Sequence, residues 1–250
     1  MLQSRQLCRM VVTVEIVRHM LEINDSNYRE FPAIANSDLS WMYEQLEKDK
    51  EKLLDLRSAY ANGTLIDCMI TENHRVDHFK RRVLGEEYRY TKAEWDNARK
   101  MKAASDKDMH FQQFIKDCHF QHIGYNPEFP IYCNGEILRD QQGNPVTMPV
   151  KCKFDLKHKT ADFAADIKST VATTQKQCIE AAKYFKYPRS RAWYMDIEGH
   201  NNDMLIFISK VNYKIFYVPI KRGDELYNQG RKEYQDLLYN WYMMFGNGKN

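Results

Sequence analysis

Two runs in the middle of the chain alternate between apolar and polar residues with the period of a β-strand. In the first, Val150, Cys152, Phe154 and Leu156 alternate with Lys151, Lys153, Asp155 and Lys157. In the second, Phe163, Ala165 and Ile167 alternate with Asp166 and Lys168. Successive side chains of a strand point to opposite faces. The pattern therefore predicts a hairpin over residues 148–170, turning at Lys157-His158-Lys159, with Asp155, Asp166 and Lys168 together on its wet face. Residues 205–211 and 213–220 read as neighbouring strands of the same sheet. Residues 124–133 are rich in β-type residues and lead through a turn-rich connection at 140–145 into the hairpin.

Helical periods flank these strands. Asn36 or Ser37 can cap a helix that turns Leu39, Met42, Tyr43 and Leu46 inward, continued by a charged amphipathic segment over 44–56. A second helix is expected to start at the Gly63-Thr64 turn, with Leu65, Ile66, Met69 and Ile70 inward. Residues 79–115 are highly charged and read as helical, anchored by Tyr90, Trp95 and Met101. Thr174 and Gln177 form a capping box ahead of an inward stripe of Cys178, Ile179, Ala182 and Phe185. Pro188 then starts another helix. A closing helix over 224–245 places Leu226, Tyr227, Tyr234, Leu237, Leu238 and Trp241 at packing positions.

At 250 residues, 43% hydrophobic and 28% charged, the chain is ordinary for one globular domain. That domain is expected over residues 20–250, with residues 1–19 as an N-terminal extension. No apolar run is long enough to span a bilayer, and residues 11–17 are too short, and too interrupted by Glu15, for a signal peptide. A cytoplasmic protein without a membrane partner is the expectation. The six cysteines include no C-x-x-C pair and none follows Cys178, which argues for buried thiols and against an iron–sulfur cluster. Net charge is only +3, but residues 151–191 hold ten Lys or Arg against four Asp or Glu. A local cationic excess beside paired carboxylates suits a phosphate backbone approaching a metal. Carboxylates hold a hard cation through oxygen, and an adjacent amine can orient or polarise water.

The spacing of Asp155, Asp166 and Lys168 resembles the D…(D/E)-x-K signature of the PD-(D/E)XK nuclease superfamily. Further motifs resemble its RecE-type exonuclease branch, found in phages and prophages. The family's Tyr-His…Pro-Ala-Ile-Ser-x-Ser-x-Leu opening is matched by Tyr28 and Pro32-Ala33-Ile34-Ala35-Asn36-Ser37-Asp38-Leu39. Its Gly-Thr-x-x-His-x-x-x-x-Glu segment is matched by Gly63 to Glu72, with Asp67 in place of the histidine. Its Gln-x-x-x-Tyr helix is matched by Tyr194, with Ser190 in place of the glutamine.

The resemblance covers roughly residues 20–245 and implies an α/β (α+β) fold with a restriction-endonuclease-like core, a central mixed β-sheet flanked by helices. It implies a metal-dependent DNA exonuclease acting on linear duplex DNA 5′-to-3′ in phage-type recombination, in the cytoplasm of a bacterial or phage-infected host cell. Asp155, Asp166 and Lys168 would be catalytic. Mg²⁺ or Mn²⁺ would rest on Asp155 and Asp166, with Asp67 and Glu128 as further candidate ligands. Ser37, Lys151, Lys153, Arg189, Ser190, Arg191 and Tyr194 are candidate DNA contacts. Implied partners are DNA, a single-strand annealing recombination protein and further copies of the chain in a homo-oligomeric ring. The Asp67 and Ser190 departures motivate an alternative, a non-catalytic DNA-binding or interaction protein that retains the nuclease fold.

Overall fold

A computed structural model describes residues 22–46, 57–73, 76, 81–83 and 86–246, with 81–83 and 86–87 described as backbone only. The chain divides into two compact units, Met1–Pro32 and Ala33–Asn250. The expected extension over 1–19 and the segment 47–56 lie outside the described residues. In the first unit, Asn24 and Asn27 brace a turn: the Asn24 N–H donates to Asn27 Oδ1, and the Ser26 N–H donates to Asn24 Oδ1.

The second unit is built on a five-stranded mixed sheet of order β3-β6-β7-β8-β9. Its strands are β3 (Cys118–Pro130), β6 (Thr147–His158), β7 (Phe163–Thr170), β8 (Asn202–Ser209) and β9 (Ile215–Lys221). Two small hairpins lie outside it, β1 (Arg81–Val83) with β2 (Glu86–Tyr88) and β4 (Tyr132–Cys133) with β5 (Glu136–Ile137). All pairings in the main sheet are antiparallel except β7 with β8. A parallel pair needs a long crossover, which is supplied here by helices α5 (Gln175–Tyr184) and α6 (Tyr187–Glu198).

Both faces of the sheet are covered. Helices α1 (Asn36–Leu46), α5, α6 and α7 (Glu225–Phe245) pack on one face, where Val150, Phe154, Ala164, Leu205 and Phe207 meet Trp193, Tyr234 and Leu238. Helices α2 (Arg57–Thr71), α3 (Lys92–Lys107) and α4 (Met109–Lys116) supply Ile66, Met101 and Phe111 to the other, against Ala165, Ile167, Ile206 and Ile208. A strand covered on both sides reads as a continuous apolar run, which is the pattern of Leu205-Ile206-Phe207-Ile208. Each such side chain contributes roughly 1.5–3 kcal/mol by leaving water.

This is the helix-flanked mixed α/β sheet that the sequence predicts. Three local expectations are corrected. The hairpin's polar face is only partly wet: Lys151 is 2% exposed and Asp166 7% exposed, because helices cover both sides and Ile34 bridges to Val150 alongside β6, while Lys153, Asp155, Lys157 and Lys168 are half-buried. Helix α2 begins at Arg57, so Gly63 and Thr64 lie inside it; Thr64 Oγ1 satisfies itself on the Tyr60 carbonyl one turn back. Within 79–115 the described residues form a hairpin and two helices, because Thr91 and Asp108 each cap a new helix. Thr91 and Glu94 make a reciprocal capping box. At α5, Thr174 Oγ1 accepts the Gln177 N–H, while Gln177 reaches back to the Thr173 N–H instead of to Thr174.

The α6–α7 contact is close enough to require a glycine. A Cβ on Gly230 would lie 2.1 Å from the Pro188 carbonyl oxygen. Asp196 of α6 locks the same interface, accepting from Tyr227 and Tyr234 of α7 and from Arg222.

Candidate active site

Strands β6 and β7 fork. They share only the pairs Leu156↔Ala165 and Lys157↔Ala164. Beyond these, β6 continues beside β3, with only the Ile34 bridge on its other edge, and β7 continues beside β8. Asp155 stands at the apex of the fork, where its Oδ2 accepts the Ile167 N–H at 2.8 Å. A side chain thus occupies the place of the next ladder rung.

The β3–β6 ladder is interrupted at the same level. Phe120 pairs with Leu156 and His122 with Phe154, but Gln121 and Asp155 between them are not paired. Gln121 has φ of +53°, in the left-handed region that a side chain with Cβ rarely enters. Its Nε2 donates to Thr71 Oγ1 at 3.1 Å and to Asp67 Oδ2 at 3.4 Å. Thr71 Oγ1 in turn donates to Asp67 Oδ1 at 3.1 Å. Asp67 is thereby held toward the fork from α2.

Asp166 and Lys168 follow on β7. Asp166 Oδ2 forms an ion pair with Lys168, and Asp166 Oδ1 accepts from Arg191 at 2.7 Å. Asp166 Oδ2 is buried against that ammonium. Arg191 is completely buried, and its other nitrogens bind Asp203 at 2.9 and 3.2 Å. His200 Nε2 lies 3.2 Å from Asp203 Oδ2. Beneath this network, Tyr194 presents its ring to the Arg191 guanidinium at 4.5 Å.

The fork opens into a cleft of about 710 Å³. Asp67, Asp155 and Lys168 line it, with Tyr60 on one wall and Phe185 and Tyr187 on another. Burial raises the Asp155 carboxyl well above the usual carboxylate range, with further pressure from Asp67 and Asp166 against the pull of Lys168. Asp67 is raised too, chiefly by burial. For Asp166, burial works in the same direction, but Lys168 and Arg191 outweigh it and hold the carboxyl low. The Lys168 ammonium is stabilised above the usual lysine range, because Asp166 and Asp155 overcome its desolvation. Neighbouring carboxylates with oppositely displaced pKa values mark a site where negative charge is concentrated.

The donor set suits a hard divalent cation. Asp155 and Asp166 offer oxygen only, and their mutual repulsion is present to be relieved. Among the described residues no group of three or more His, Cys, Asp or Glu is gathered to hold a metal. A bound Mg²⁺ would therefore rest on two carboxylates and keep most of its waters, as that ion commonly does.

The other expected site residues lie elsewhere. Glu128 is exposed on an irregular part of β3, beside the Phe129↔Met148 pair. Seven residues of β6 separate that level from Asp155, roughly 23 Å at strand rise, so it does not join the cleft. Ser37 is exposed in the first turn of α1, and Lys153 is half-buried; neither lines the cleft. Lys151, Arg189 and Arg191 are buried and do not face outward for DNA. Arg189 donates to Ser40 Oγ at 2.7 Å and lies over the Tyr43 ring. Ser190 donates to the Tyr187 carbonyl at 2.9 Å, and Tyr194 packs on Phe154 and Arg191. The helix seen as a row of outward cations is in fact buried between the sheet and α7, so its arginines brace the interior.

Gln121, Thr71, Asp203 and His200 belong to the site or its support and were not legible as such. Nothing local marks a glutamine for a left-handed backbone. Asp203 begins an apolar strand, and only the fold brings it to Arg191.

No known protein family profile matches the chain, and no curated protein matches it by sequence. Among solved structures, the protein SSO0001 aligns over 98% of this chain and 89% of its own, at 9% identity and a TM-score of 0.38. A phage-related exonuclease from Haemophilus somnus 129PT aligns over 82% of this chain and 92% of its own, at 13% identity and a TM-score of 0.36. At such low overlap, any functional reading rests on the chain's own residues. Among the described residues no helix is long and apolar enough to cross a membrane.

Proposed function

We propose that the chain is a metal-dependent nuclease of the PD-(D/E)XK type that hydrolyses phosphodiester bonds in DNA. The observation that carries this reading is the fork itself. Asp155 and Lys168 line its cleft, and Asp166, buried beside it, pairs with Lys168, so both carboxylates lie in electrostatic reach of the same ammonium.

When bound at Asp155 and Asp166, Mg²⁺ or Mn²⁺ would supply Lewis acidity at a phosphoryl oxygen and lower the pKa of an attacking water. The protein's own part is positional. Arg191 fixes Asp166 from behind, and the Ile167 N–H fixes Asp155. Lys168, stacked over the Tyr187 ring at 5.1 Å, holds a positive charge at the cleft floor. There it stabilises charge growing on the phosphate and orients water. Lys210, also on the cleft wall, offers a second cation to the backbone. Asp67, at the position of the family's histidine, lines the same cleft and adds to the negative charge around Asp155.

The motif order over residues 20–245 further supports an exonuclease of the RecE type acting on linear duplex DNA with 5′-to-3′ polarity. On this reading it works with a single-strand annealing protein and assembles as a ring, in the cytoplasm of a bacterial or phage-infected cell. The test is digestion of linear duplex DNA labelled at the 5′ or the 3′ end, with closed circular DNA as control. Loss of the 5′ label first, dependent on Mg²⁺ and confined to linear substrate, is expected. DNA binding without cleavage under any divalent metal would instead favour the non-catalytic alternative.

A further inference from the structure

The junction between α5 and α6 carries aromatic residues for which the hydrolytic chemistry has no use. Phe185 continues the apolar stripe of α5 in sequence, yet it is 54% exposed, and Tyr184 is 73% exposed. Lys186, with φ of +59°, turns the chain sharply between the helices, and Pro188 starts α6. Phe185 stands at the C-cap of α5, its N–H still bonded to the Ala181 carbonyl, and its side chain lines the cleft.

There the rings form a series that leads outward from the lysine. The Lys168 ammonium lies 5.1 Å from the Tyr187 ring centre. Tyr187 and Phe185 stack, with centroids 5.7 Å apart and planes within 22°. Tyr184 closes the series edge-on to Phe185 at 5.0 Å and 89°. On the facing wall stands Tyr60, itself 50% exposed.

We propose that Phe185, backed by Tyr187 and Tyr184, is a stacking platform for the base of an unpaired DNA strand, which delivers the adjoining phosphate to Lys168. The inference rests on the nuclease reading and adds the form in which the strand enters. A phenylalanine left more than half in water gives up part of the gain of burial, and a ring already stacked on one side offers only its other face. Any base can use that face, because every base has a π-surface. Within a duplex both faces of a base are occupied by its neighbours, so an internal paired base has no face to give. The cleft volume of about 710 Å³ lies in the range of roughly 300–1,000 Å³ that encloses one small ligand. It suits a nucleotide and not the breadth of a duplex. The cations Lys168 and Lys210 beside the rings match a strand whose bases and phosphates alternate.

The test compares wild type with Phe185→Ala, Phe185→Leu and Phe185→Trp. Each is titrated, in EDTA, against a short fluorescent DNA single strand and against a hairpin duplex with a blunt end. Circular dichroism checks folding of each variant, and the exposed position makes folding of all three the expectation. Single-strand affinity should fall about fivefold to a hundredfold in the Ala and Leu variants, the range for one lost base stack. It should be retained in Trp, with duplex affinity moving less than about twofold in all three. A strand carrying 2-aminopurine should be quenched by wild type and not by Phe185→Leu. Equal single-strand affinity for Leu and wild type, or an equal loss on both substrates, overturns the platform. Failure of wild type to bind either DNA also overturns it and leaves the rings as a protein-docking surface. Phe185-dependent single-strand binding by a protein that never cuts leaves the platform standing while the nuclease reading falls. Full cleavage with single-strand affinity insensitive to Phe185 does the reverse.

Discussion

Asp155 Oδ2 accepts the main-chain N–H of Ile167 at 2.8 Å, so a carboxylate completes the rung at which β6 and β7 part. The contact fixes the candidate metal ligand to the strand that carries Asp166 and Lys168. The hydrogen bond favours the ionised form, but burial and the charges of Asp67 and Asp166 outweigh it and hold the carboxyl above the ordinary carboxylate range.

Metal binding should therefore be proton-linked. A cation requires the ionised carboxylate, so Mg²⁺ affinity should weaken as pH falls, with proton release on binding. Calorimetry in two buffers of different ionisation enthalpy measures this directly. Affinity that stays independent of pH throughout the range in which the protein is folded would contradict the assigned ligand.

The same shift has a stability consequence. A folded-state pKa raised above the unfolded one contributes stability below the unfolded value, lost as pH rises through the folded value. Metal-free Asp155→Asn should thus melt higher than wild type at neutral and alkaline pH, and the gain should vanish in acid. Thermal melts across the pH range, in EDTA, provide the check. Asp166 behaves oppositely: its lowered pKa gives stability above the unfolded value that is lost as pH falls through the folded one.

Lys168→Ala should abolish cleavage while the protein still folds and binds DNA. It removes one cation among several near the backbone, but it is the one at the cleft floor. Loss of one preorganised contact at a reacting centre costs on the order of a hundredfold or more in rate. Single-turnover digestion paired with a gel shift separates the two effects; a folded variant cutting at the wild-type rate would defeat the catalytic assignment.

Arg191 is predicted to be structural. Its guanidinium joins Asp166 to Asp203 with no exposure, so Arg191→Ala strands two buried carboxylates. Breaking such an arrangement typically costs about 3–5 kcal/mol, readable in urea denaturation. Arg191→Lys should recover little, because a single ammonium cannot reproduce the planar fork.

Gln121 separates backbone strain from side-chain function. Gln121→Gly relieves a left-handed conformation worth roughly 1–2 kcal/mol but loses the hydrogen bonds to Asp67 and Thr71. The glycine variant should melt no lower than wild type yet need more Mg²⁺ for half-maximal activity. Gln121→Ala should need as much metal and melt lower than the glycine form. An unchanged metal requirement in both would remove Gln121 from the site.

The strand character of residues 150–168, the apolar run of β8 and the cap at Thr174 were legible from the chain alone, because they are local. Strand period, capping chemistry and the spacing of Asp155, Asp166 and Lys168 need no knowledge of distant residues. Burial is different, because it depends on what is packed above. Alternation placed Asp166 and Lys151 in water, and helices folding from both ends of the chain enclosed them. The same enclosure turned Arg189 and Arg191 from candidate DNA contacts into interior braces. Gln121, Asp203 and His200 become meaningful only when β3, β8 and α6 converge on the fork. Phe185 was assigned to the core by its helical phase, but it stands at the very end of α5, where the side chain lines the cleft instead. Sequence thus determined which elements form and which residues can do chemistry. Tertiary packing decided which of them share one dielectric environment, and that sets their charge, their orientation and their access to substrate.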